Sequence, residues 1–229
     1  MALPQDFAQW YFPAGIVVGA YFLGSVPFGW LLGKLRGIDV RHHGSCNIGA
    51  TNVGRLLGKP WGLAAFLLDF GKGWLPSAFL AGQLGGAHEP SSTAAVLAGA
   101  AAVVGHVFPI YLGFRGGKAV ATGCGALVGL DPRIFVVGGI AWLVVLATTR
   151  FVSLASMAMA VAFPCAAAWF ARSSPYGAEV VWGAAALTGL VLLRHRANIA
   201  RLVRGEEPKF GARTAPGLDE SNSRAENQL

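Results

Sequence analysis

Long apolar runs are the feature that most constrains the fold of this chain. About seven of them follow one another between Phe12 and Leu193, and many approach the ~20 residues that a helix needs to cross a bilayer. The 229 residues are 54% hydrophobic and only 13% charged, whereas soluble domains are about 25% charged. The sequence therefore predicts an all-α integral membrane protein, a bundle of about seven transmembrane helices.

The spans are predicted at residues 12–32, 61–84, 93–112, 119–130, a run ending at Thr149, 152–172 and 178–193. Pro27 lies inside the first span and predicts a kink there. The fourth span is short for a hydrocarbon core of about 30 Å. Asp69 and Lys72 lie three residues apart on one face of the second span. We favour a mutual ion pair facing the bundle over a ligand contact for these two residues.

The distribution of positive charge predicts the orientation. Loops after the first, third, fifth and seventh spans hold most of the basic residues: Lys34, Arg36, Arg41, Arg55, Lys59, Arg115, Lys118, Arg150, Arg194, Arg196, Arg201 and Arg204. Loops on the other side hold only Arg133 and Arg172. By the positive-inside rule the N-terminus is outside and the C-terminus is cytosolic. We predict a transmembrane domain over 1–205 and a polar, disordered tail over 206–229.

The stretch Arg41–Arg55 between the first two spans is polar and rich in glycine. Its glycines permit tight turns and close approach of the backbone to a ligand, and its polar side chains and two arginines supply hydrogen bonds and charge. The residues concerned are Gly44, Ser45, Asn47, Gly49, Thr51, Asn52, Gly54 and Arg55. Exposed backbone N–H groups together with arginine form a good cradle for a phosphate or a phosphate ester.

A second compact basic turn, Phe114–Lys118, resembles another phosphate-binding turn. Gly116 and Gly117 let the backbone approach a ligand closely, and Lys118 supplies positive charge. His195 lies between two arginines, whose charge lowers a histidine pKa and favours a neutral proton acceptor, although a helix C-terminus opposes this. An interfacial histidine without chemistry is an equal alternative for His195. We expect His106 to be structural. We expect His42 and His43 to face solvent.

The residues that bind metals and nucleotides are not arranged in this sequence as such sites require. The eleven carboxylates are scattered, which argues against a magnesium-dependent phosphotransferase. Cys46, Cys124 and Cys165 are widely spaced and suggest neither a disulfide nor a zinc site. We expect no metal, no cofactor and no nucleic-acid partner. Cationic grips, hydroxyls, amides and one histidine suit an already activated donor, such as an acyl phosphate.

Three ordered blocks of sequence resemble the bacterial membrane glycerol-3-phosphate acyltransferase family that uses acyl phosphate, the PlsY family. The first block is Gly24-Ser-x-Pro-x-Gly29, Lys34, Gly37-x-Asp39-x-Arg41, Gly44-Ser-Cys-Asn-x-Gly-Ala-Thr-Asn52 and Arg55. The second is Gly105-His-x-Phe-Pro109 with Phe114-x-Gly-Gly-Lys-x-Val-Ala-Thr122. The third is Ser153-Leu-Ala-Ser156, Arg194-His-Arg-x-Asn-Ile199, Arg201-Leu202 and Gly205-x-Glu207. Together they extend over nearly the whole predicted membrane domain.

The resemblance implies seven spans, an active site at the cytosolic surface of the bacterial inner membrane, and no metal. It implies that the sn-1 hydroxyl of glycerol 3-phosphate attacks an acyl phosphate, releasing lysophosphatidic acid and inorganic phosphate. The site residues that it carries over by position are Ser45, Arg55, Lys118, Ser153, His195 and Asn198. We assign Arg55 and Lys118 to the phosphates, and Ser45, Asn47 and the loop N–H groups to the donor and its developing oxyanion. The predicted catalytic residues are Ser45, Arg55, Lys118 and His195. The predicted substrate-binding residues are Gly44, Asn47, Gly49, Thr51, Asn52, Gly116, Gly117, Ser153 and Asn198.

The sequence leaves two candidates for the general base. It is either His195 or the phosphate of the acceptor itself, whose second pKa lies near neutrality, and an acyl-Ser45 intermediate is less favoured. The chain departs from the family pattern at Cys46, where glycine is usual, and at Ala197, where glutamate is frequent. A cysteine in a turn that needs a positive φ costs about 1 kcal/mol or more.

Two other classes of function compete with the enzyme. An organophosphate transporter would also use cationic turns and broken helices. Its phosphate-binding groups, however, should lie near the bilayer midplane or alternate between the two faces of the membrane. A scaffold whose basic loops bind anionic lipid heads does not explain the polar loop. We favour a multi-pass enzyme that works as a monomer among membrane lipids and is linked functionally to an enzyme that forms acyl phosphate.

Overall fold

The computed structural model describes residues 5–82, 92–174 and 176–211, and its regular elements in these ranges are all helical. The helices are α1 (Gln5–Ser25), α2 (Phe28–Leu35), α3 (Ala50–Leu57), α4 (Lys59–Gly82), α5 (Ser92–Val107), α6 (Val120–Leu130), α7 (Pro132–Thr149), α8 (Val152–Phe170), α9 (Gly177–Arg194) and α10 (Arg196–Val203). Short 3₁₀ turns follow α5 at Ile110–Leu112 and α8 at Ala171–Ser173. The predicted all-α class is confirmed.

Five stretches within the described ranges are long and apolar enough to cross a bilayer. They are Ala14–Leu35, Thr93–Leu112, Pro132–Thr149, Val152–Ser173 and Gly177–Arg194. The other two predicted spans correspond to α4, which carries an ion pair, and to α6, which has only 11 residues. The protein is thus an integral membrane protein, while the total of seven spans and the orientation of its termini stay predictions. Residues 83–84, the end of the second predicted span, lie outside the described residues.

The kink predicted at Pro27 is a complete break between α1 and α2. Because the helix stops at Ser25, the carbonyl of Val26 is open to partners other than the next helical turn. The ammonium of Lys72 on α4 donates to that carbonyl at 2.8 Å. The same ammonium lies 2.8 Å from the Asp69 carboxylate, and both side chains are buried. The predicted ion pair is therefore confirmed, and it also ties α4 to the break.

Helix α6 is as short as its sequence indicated and lies against α4. At a rise of 1.5 Å per residue its 11 residues span only about 16 Å, roughly half of a hydrocarbon core. Glycines bring the two backbones together, as is common in membrane helices. A Cβ at Gly73 would overlap the carbonyl of Thr122, and a Cβ at Gly125 would overlap the carbonyl of Phe70. Neighbouring helices thus bury most of α6.

Helices α7, α8 and α9 pack beside one another and complete the bundle. Asp131 caps α7 by accepting a hydrogen bond from the N–H of Arg133 at 3.0 Å. Phe163 of α8 is fully buried against Gly138 of α7. The Thr188 hydroxyl of α9 donates to the Ala160 carbonyl of α8 at 2.5 Å. The contacts between α7 and α8 and between α8 and α9 hold these three helices side by side.

The polar stretch Arg41–Arg55, predicted as a loop, is a loop only as far as Gly49. Its second half is the start of α3. This helix is amphipathic, with polar residues on one face and apolar residues on the opposite face. Val53 on that face is fully buried in a small cluster with Val40, Ile48 and Ala65. Burial of these side chains drives the segment into a helix although its composition is that of a loop.

The domain boundary at residue 205 stays a prediction, since residues 212–229 lie outside the described residues. Residues 206–211, which we assigned to the tail, make specific contacts. The N–H of Phe210 donates to the Arg150 carbonyl at 2.6 Å, and the Arg150 guanidinium donates to the Phe210 carbonyl at 3.1 Å. This pairing folds the segment back over the loop between α7 and α8, where Glu207 reaches the candidate site.

Candidate active site

A cavity of about 390 Å³ lies where the polar loop, the 118–121 segment, the start of α8 and the α9–α10 junction meet. Eleven of the thirteen predicted site residues line it, and they come from four separate parts of the chain. They are Gly44, Ser45, Asn47, Gly49, Thr51, Asn52, Arg55, Lys118, Ser153, His195 and Asn198. The fold therefore gathers these residues at one place.

Asn52 organises the polar loop from within. Its side-chain oxygen accepts the N–H of Ser45 at 2.8 Å, and its amide nitrogen lies within hydrogen-bond distance of the carbonyls of Val40, His43 and Asn47. The side chain is only 2% exposed. The Asn52 amide thus holds the loop in shape, and because Asn52 also lines the cavity, its predicted contact with substrate stays a prediction.

The backbone N–H groups of the loop are less available than predicted. Those of Ser45 and Gly49 donate to the side chains of Asn52 and Asn47, and that of Cys46 donates to the His43 carbonyl. A cradle of exposed loop N–H groups is therefore the wrong description for these three. The first residues of α3, Ala50 and Thr51, line the cavity instead. A helix N-terminus presents unpaired N–H groups and attracts anions.

Cys46, which departs from the family pattern, takes the backbone conformation that the missing glycine would favour. Its φ is 53°, and Gly44 beside it has a φ of 60°. A left-handed conformation costs a residue with a Cβ about 1–2 kcal/mol. The turn keeps this shape because the Asn52 amide determines it, and the Cys46 side chain is exposed.

Lys118 belongs to a chain of hydrogen bonds that joins three parts of the site. Its ammonium donates to the side-chain oxygen of Asn198 at 2.5 Å. The Asn198 amide in turn donates to Glu207 at 2.6 Å, and Glu207 accepts from Arg201 at 2.7 Å. Burial lowers the pKa of Lys118 to about 8, with Glu207 opposing the shift and Arg201 and Arg55 adding to it.

Glu207 and Arg201 also line the cavity, although neither is among the predicted site residues. Burial alone would raise the pKa of the Glu207 carboxyl, but Ser153, Asn198 and Arg201 around it lower that pKa. The carboxylate thus stays charged and holds Asn198 and Arg201 in place. The only sequence signal was the position of both residues in the third family block, just beyond the last span.

His195 is held as a neutral imidazole. Its Nδ1 lies 2.8 Å from the Val191 carbonyl, which can only accept, so Nδ1 carries the proton and Nε2 is left as an acceptor. Burial and then the charge of Lys118 lower the pKa of His195 to about 4. Burial and Lys118 thus lower this pKa, rather than the two flanking arginines that we expected to do so. The ring is 3% exposed and lines the cavity.

Gly116 and Gly117 are not among the residues that line the cavity, although we predicted both as substrate-binding. Their N–H groups donate to the carbonyls of Val107 and His106 at 3.1 and 3.0 Å. Their carbonyls accept from Arg194. The two glycines therefore form a bridge between helix ends, and of this turn only Lys118 reaches the cavity.

Asp69 and His106 line the inner wall of the same cavity. Both are buried, and the Nδ1 atom of His106 lies 3.6 Å from the Asp69 carboxylate. The structural assignment made for His106 fits this position, because its ring packs against Gly117, where a Cβ would collide with it. The sequence indicated this polar wall through Asp69, a charged residue inside the second predicted span.

The cavity lining carries charges of both signs. Three cations line it, Arg55, Lys118 and Arg201. Three carboxylates line it as well, Asp69, Glu206 and Glu207, and each is paired with a cation: Lys72, Arg204 and Arg201. Within the described residues Arg201 and Lys118 are partnered by Glu207 and Asn198, whereas the Arg55 guanidinium makes no ion pair. A neutral histidine and the hydroxyl side chains of Ser45, Thr51, Ser153 and Ser156 also line it. This arrangement can bind phosphate groups and accept a proton from a hydroxyl group.

Comparison with known proteins gives one consistent result. The sequence profile of the glycerol-3-phosphate acyltransferase family matches residues 14–205. A glycerol-3-phosphate acyltransferase from Aquifex aeolicus (strain VF5) is 38% identical over 195 residues, which are 85% of this chain and 97% of the relative. One from Thermosynechococcus vestitus is 47% identical over 201 residues, 84% of this chain and 92% of the relative.

Solved structures agree with the sequence relatives. The crystal structure of PlsY, an integral membrane glycerol 3-phosphate acyltransferase, in its glycerol 3-phosphate form superposes with a TM-score of 0.79 at 36% identity. That superposition covers 87% of this chain and 96% of PlsY. The lysophosphatidic acid form of PlsY superposes with a TM-score of 0.76.

Proposed function

This chain belongs to the glycerol-3-phosphate acyltransferase family, and on that premise we propose that it moves a fatty acyl group from acyl phosphate to the sn-1 hydroxyl of glycerol 3-phosphate. The products are lysophosphatidic acid and inorganic phosphate, and the step begins phospholipid synthesis. One observation carries the proposal. Arg55, Lys118 and a neutral His195 line one cavity, although the chain places them in three distant segments.

The cations are placed to hold the two phosphate groups that this reaction brings together. Arg55 makes no ion pair among the described residues and is free for a ligand. Lys118 is anchored through Asn198, so its ammonium is fixed before substrate arrives. A second phosphate fits the N-terminus of α3 at Ala50 and Thr51, beside Ser45. The relative PlsY has been crystallised in forms with glycerol 3-phosphate and with lysophosphatidic acid.

The proposed reaction breaks the bond between the acyl carbon and the phosphate oxygen of the donor. The sn-1 oxygen attacks the carbonyl carbon, its proton is accepted by a base, and phosphate leaves with the electron pair of the broken bond. The Ser45 hydroxyl and the Asn47 amide, which both line the cavity, are the proposed donors for the developing oxyanion. Phosphate is a good leaving group, so an acyl-Ser45 intermediate is not required.

Two groups compete for the role of base. His195 is neutral, and its Nε2 is free to accept a proton. The phosphate of glycerol 3-phosphate has a second pKa of about 6, and it lies within the same molecule as the attacking hydroxyl. In the second case His195 orients the acceptor rather than taking its proton.

The surroundings of the site are also part of the proposal. We place the site on the cytosolic face of the bacterial inner membrane, because the basic residues cluster at the helix ends that form it. The protein acts as a monomer among membrane lipids, without a metal or another cofactor. It depends on an enzyme that forms acyl phosphate. Acyl phosphate hydrolyses readily in water, so a short path between the two enzymes favours transfer.

Release of inorganic phosphate tests the function directly. Purified protein is given acyl phosphate in EDTA, with or without glycerol 3-phosphate, and an acyl-CoA replaces the donor in a parallel sample. The proposal expects release that requires the acceptor, persists in EDTA and is lost with acyl-CoA. Release without acceptor indicates an acyl-enzyme or a hydrolase. Absence of release from folded protein contradicts the proposal.

Substitution of site residues tests the assignment. Ser45→Ala and Lys118→Ala are expected to abolish turnover and leave the purified protein folded. Ser174→Ala is a matched control, since Ser174 lies after α8, outside the residues that line the cavity. Full activity in both site variants would remove these residues from the mechanism.

A further inference from the structure

Arg194 at the end of α9 binds two consecutive backbone carbonyls. Its Nε donates to the carbonyl of Gly117 at 3.1 Å, and its Nη2 donates to the carbonyl of Gly116 at 2.9 Å. A guanidinium is planar and presents its donors in a fixed fork, so two simultaneous hydrogen bonds fix orientation as well as distance. The contact joins residues that are 77 and 78 positions apart in the chain.

The Gly116–Gly117 bridge is held from its other side by α5. The N–H groups of the two glycines donate to the carbonyls of Val107 and His106. Glycine is required at both positions, because a Cβ at Gly116 would overlap those carbonyls and a Cβ at Gly117 would collide with the His106 ring. The bridge therefore lies between the last turns of α5 and α9, and Arg194 is its link to α9.

The two ends of this link are the immediate neighbours of candidate catalytic groups. Lys118 follows Gly117, and His195 follows Arg194. The link between Arg194 and the bridge thus connects the backbones that carry Lys118 and His195. The hydrogen bond from Lys118 to Asn198 is a second connection between the same segments.

We propose that Arg194 is a positioning residue, which fixes Lys118 at a set distance from His195 by clamping the Gly116–Gly117 bridge to the end of α9. This inference rests on the acyltransferase function proposed above. The competing interpretation treats Arg194 as a charge that only sets membrane topology. Arg196, two positions further, is exposed, and its side chain has no hydrogen bond or ion pair among the described residues, so it serves as the control.

Replacement of arginine by lysine separates the two interpretations. Arg194→Lys keeps the positive charge, and with it the topology signal, but an ammonium cannot reproduce the fork. If the clamp positions Lys118, the KM for glycerol 3-phosphate rises and kcat falls, by about 10- to 100-fold in kcat/KM. Arg196→Lys is expected to leave both constants unchanged. The melting temperature and the size-exclusion profile of each variant check that it is folded.

Chemical rescue distinguishes positioning from a general structural role. In Arg194→Ala, added methylguanidinium at millimolar concentration can occupy the vacated space and is expected to restore part of kcat/KM. Methylammonium at the same ionic strength should restore none. A loss of activity in Arg194→Lys that follows the loss of folded protein, without rescue of Arg194→Ala, would overturn the inference. Wild-type kcat and KM in Arg194→Lys would also overturn it.

A readout that does not need turnover keeps this test separate from the proposed function. Brief treatment with acetic anhydride and mass spectrometry gives the acetylation rate of Lys118. Release of the bridge should expose Lys118 and speed its acetylation in Arg194→Lys, relative to wild type and to Arg196→Lys. An unchanged rate would contradict the clamp even if the wild-type protein showed no acyltransferase activity. Faster acetylation with an inactive wild type would support the clamp and reject the function.

Discussion

The ammonium of Lys118 lies 2.5 Å from the side-chain oxygen of Asn198, although 80 positions separate the two residues in the chain. Asn198 passes this contact to Glu207, whose carboxylate also binds Arg201. A lysine alone is a flexible point charge. Here the hydrogen-bonded chain gives it a fixed position in the cavity, and burial gives it a pKa that can be reached by titration.

The pKa of Lys118 predicts an alkaline limb in the activity. Burial lowers this pKa to about 8, so the ammonium is charged below that pH and loses its proton above it. Because only the charged form binds phosphate, kcat/KM for glycerol 3-phosphate should fall by about tenfold per pH unit above the pKa. Initial rates from neutral pH to about pH 10 give the profile. In Lys118→Arg the cation stays charged, so the limb should disappear, and its persistence would assign it to another group.

His195 should affect rate without shaping the acid limb. Its pKa of about 4 keeps the ring neutral throughout the physiological range. His195→Gln should lower kcat by roughly 10²–10⁴-fold if the ring is the general base. The acid limb should stay near pH 6, where the acceptor phosphate gains its proton. A limb that moves or vanishes in the variant would show that His195 itself titrates there. A loss below tenfold would favour the substrate phosphate as the base.

Cys46→Gly should stabilise the protein. The left-handed conformation of Cys46, with a φ of 53°, strains a residue with a Cβ, and glycine relieves that strain. The greater freedom of glycine in the unfolded chain offsets part of the gain, so we expect an increase of up to about 1 kcal/mol. Melting temperature in one detergent is the measurement. The control is Cys165→Gly inside α8, which should destabilise the helix by about 0.5–1 kcal/mol. Equal effects at the two sites would contradict the argument from φ.

Asp69 and Lys72 should be coupled strongly in stability. Removal of one partner leaves a buried charge without compensation, so Asp69→Asn or Lys72→Met should each cost about 3–5 kcal/mol. The double variant should cost clearly less than the sum, because it removes both charges. Thermal unfolding of the four proteins gives the coupling. Additive effects would show that the 2.8 Å contact contributes little.

The close approach of α4 and α6 predicts a difference between two glycines. Gly125→Ala would place a methyl group on the Phe70 carbonyl, so the helices must separate, at a cost of about 1–3 kcal/mol. Gly139→Ala on α7 meets open space and should be neutral or slightly stabilising, since alanine favours a helix. Melting temperatures of the two variants in the same detergent compare them. A tolerated Gly125→Ala would mean that the α4–α6 contact adjusts easily.

Much of the site could be predicted from residue type and order. The charged and polar residues of the Arg41–Arg55 stretch, together with Lys118, Ser153 and His195, interrupt a chain that is otherwise apolar. A membrane protein has few reasons to keep such residues together at one surface. The break at Pro27 and the short fourth span could also be predicted, because proline removes a backbone donor and residues 119–130 are too few to cross a bilayer alone.

The sequence by itself determined the class of fold, the family and eleven of the residues around the cavity. Only the tertiary structure decided which hydrogen-bond partners these residues have. Asn52 holds the polar loop together, and Gly116 and Gly117 form a bridge between helix ends. Glu207 reaches the site from a segment that we predicted to be part of a disordered tail. Composition and periodicity indicate whether a residue is buried or faces water or lipid, and this depends on its neighbours in the sequence. Hydrogen-bond partners such as Lys118 and Asn198 are 80 positions apart in the chain, and only the packing of the helices brings them together.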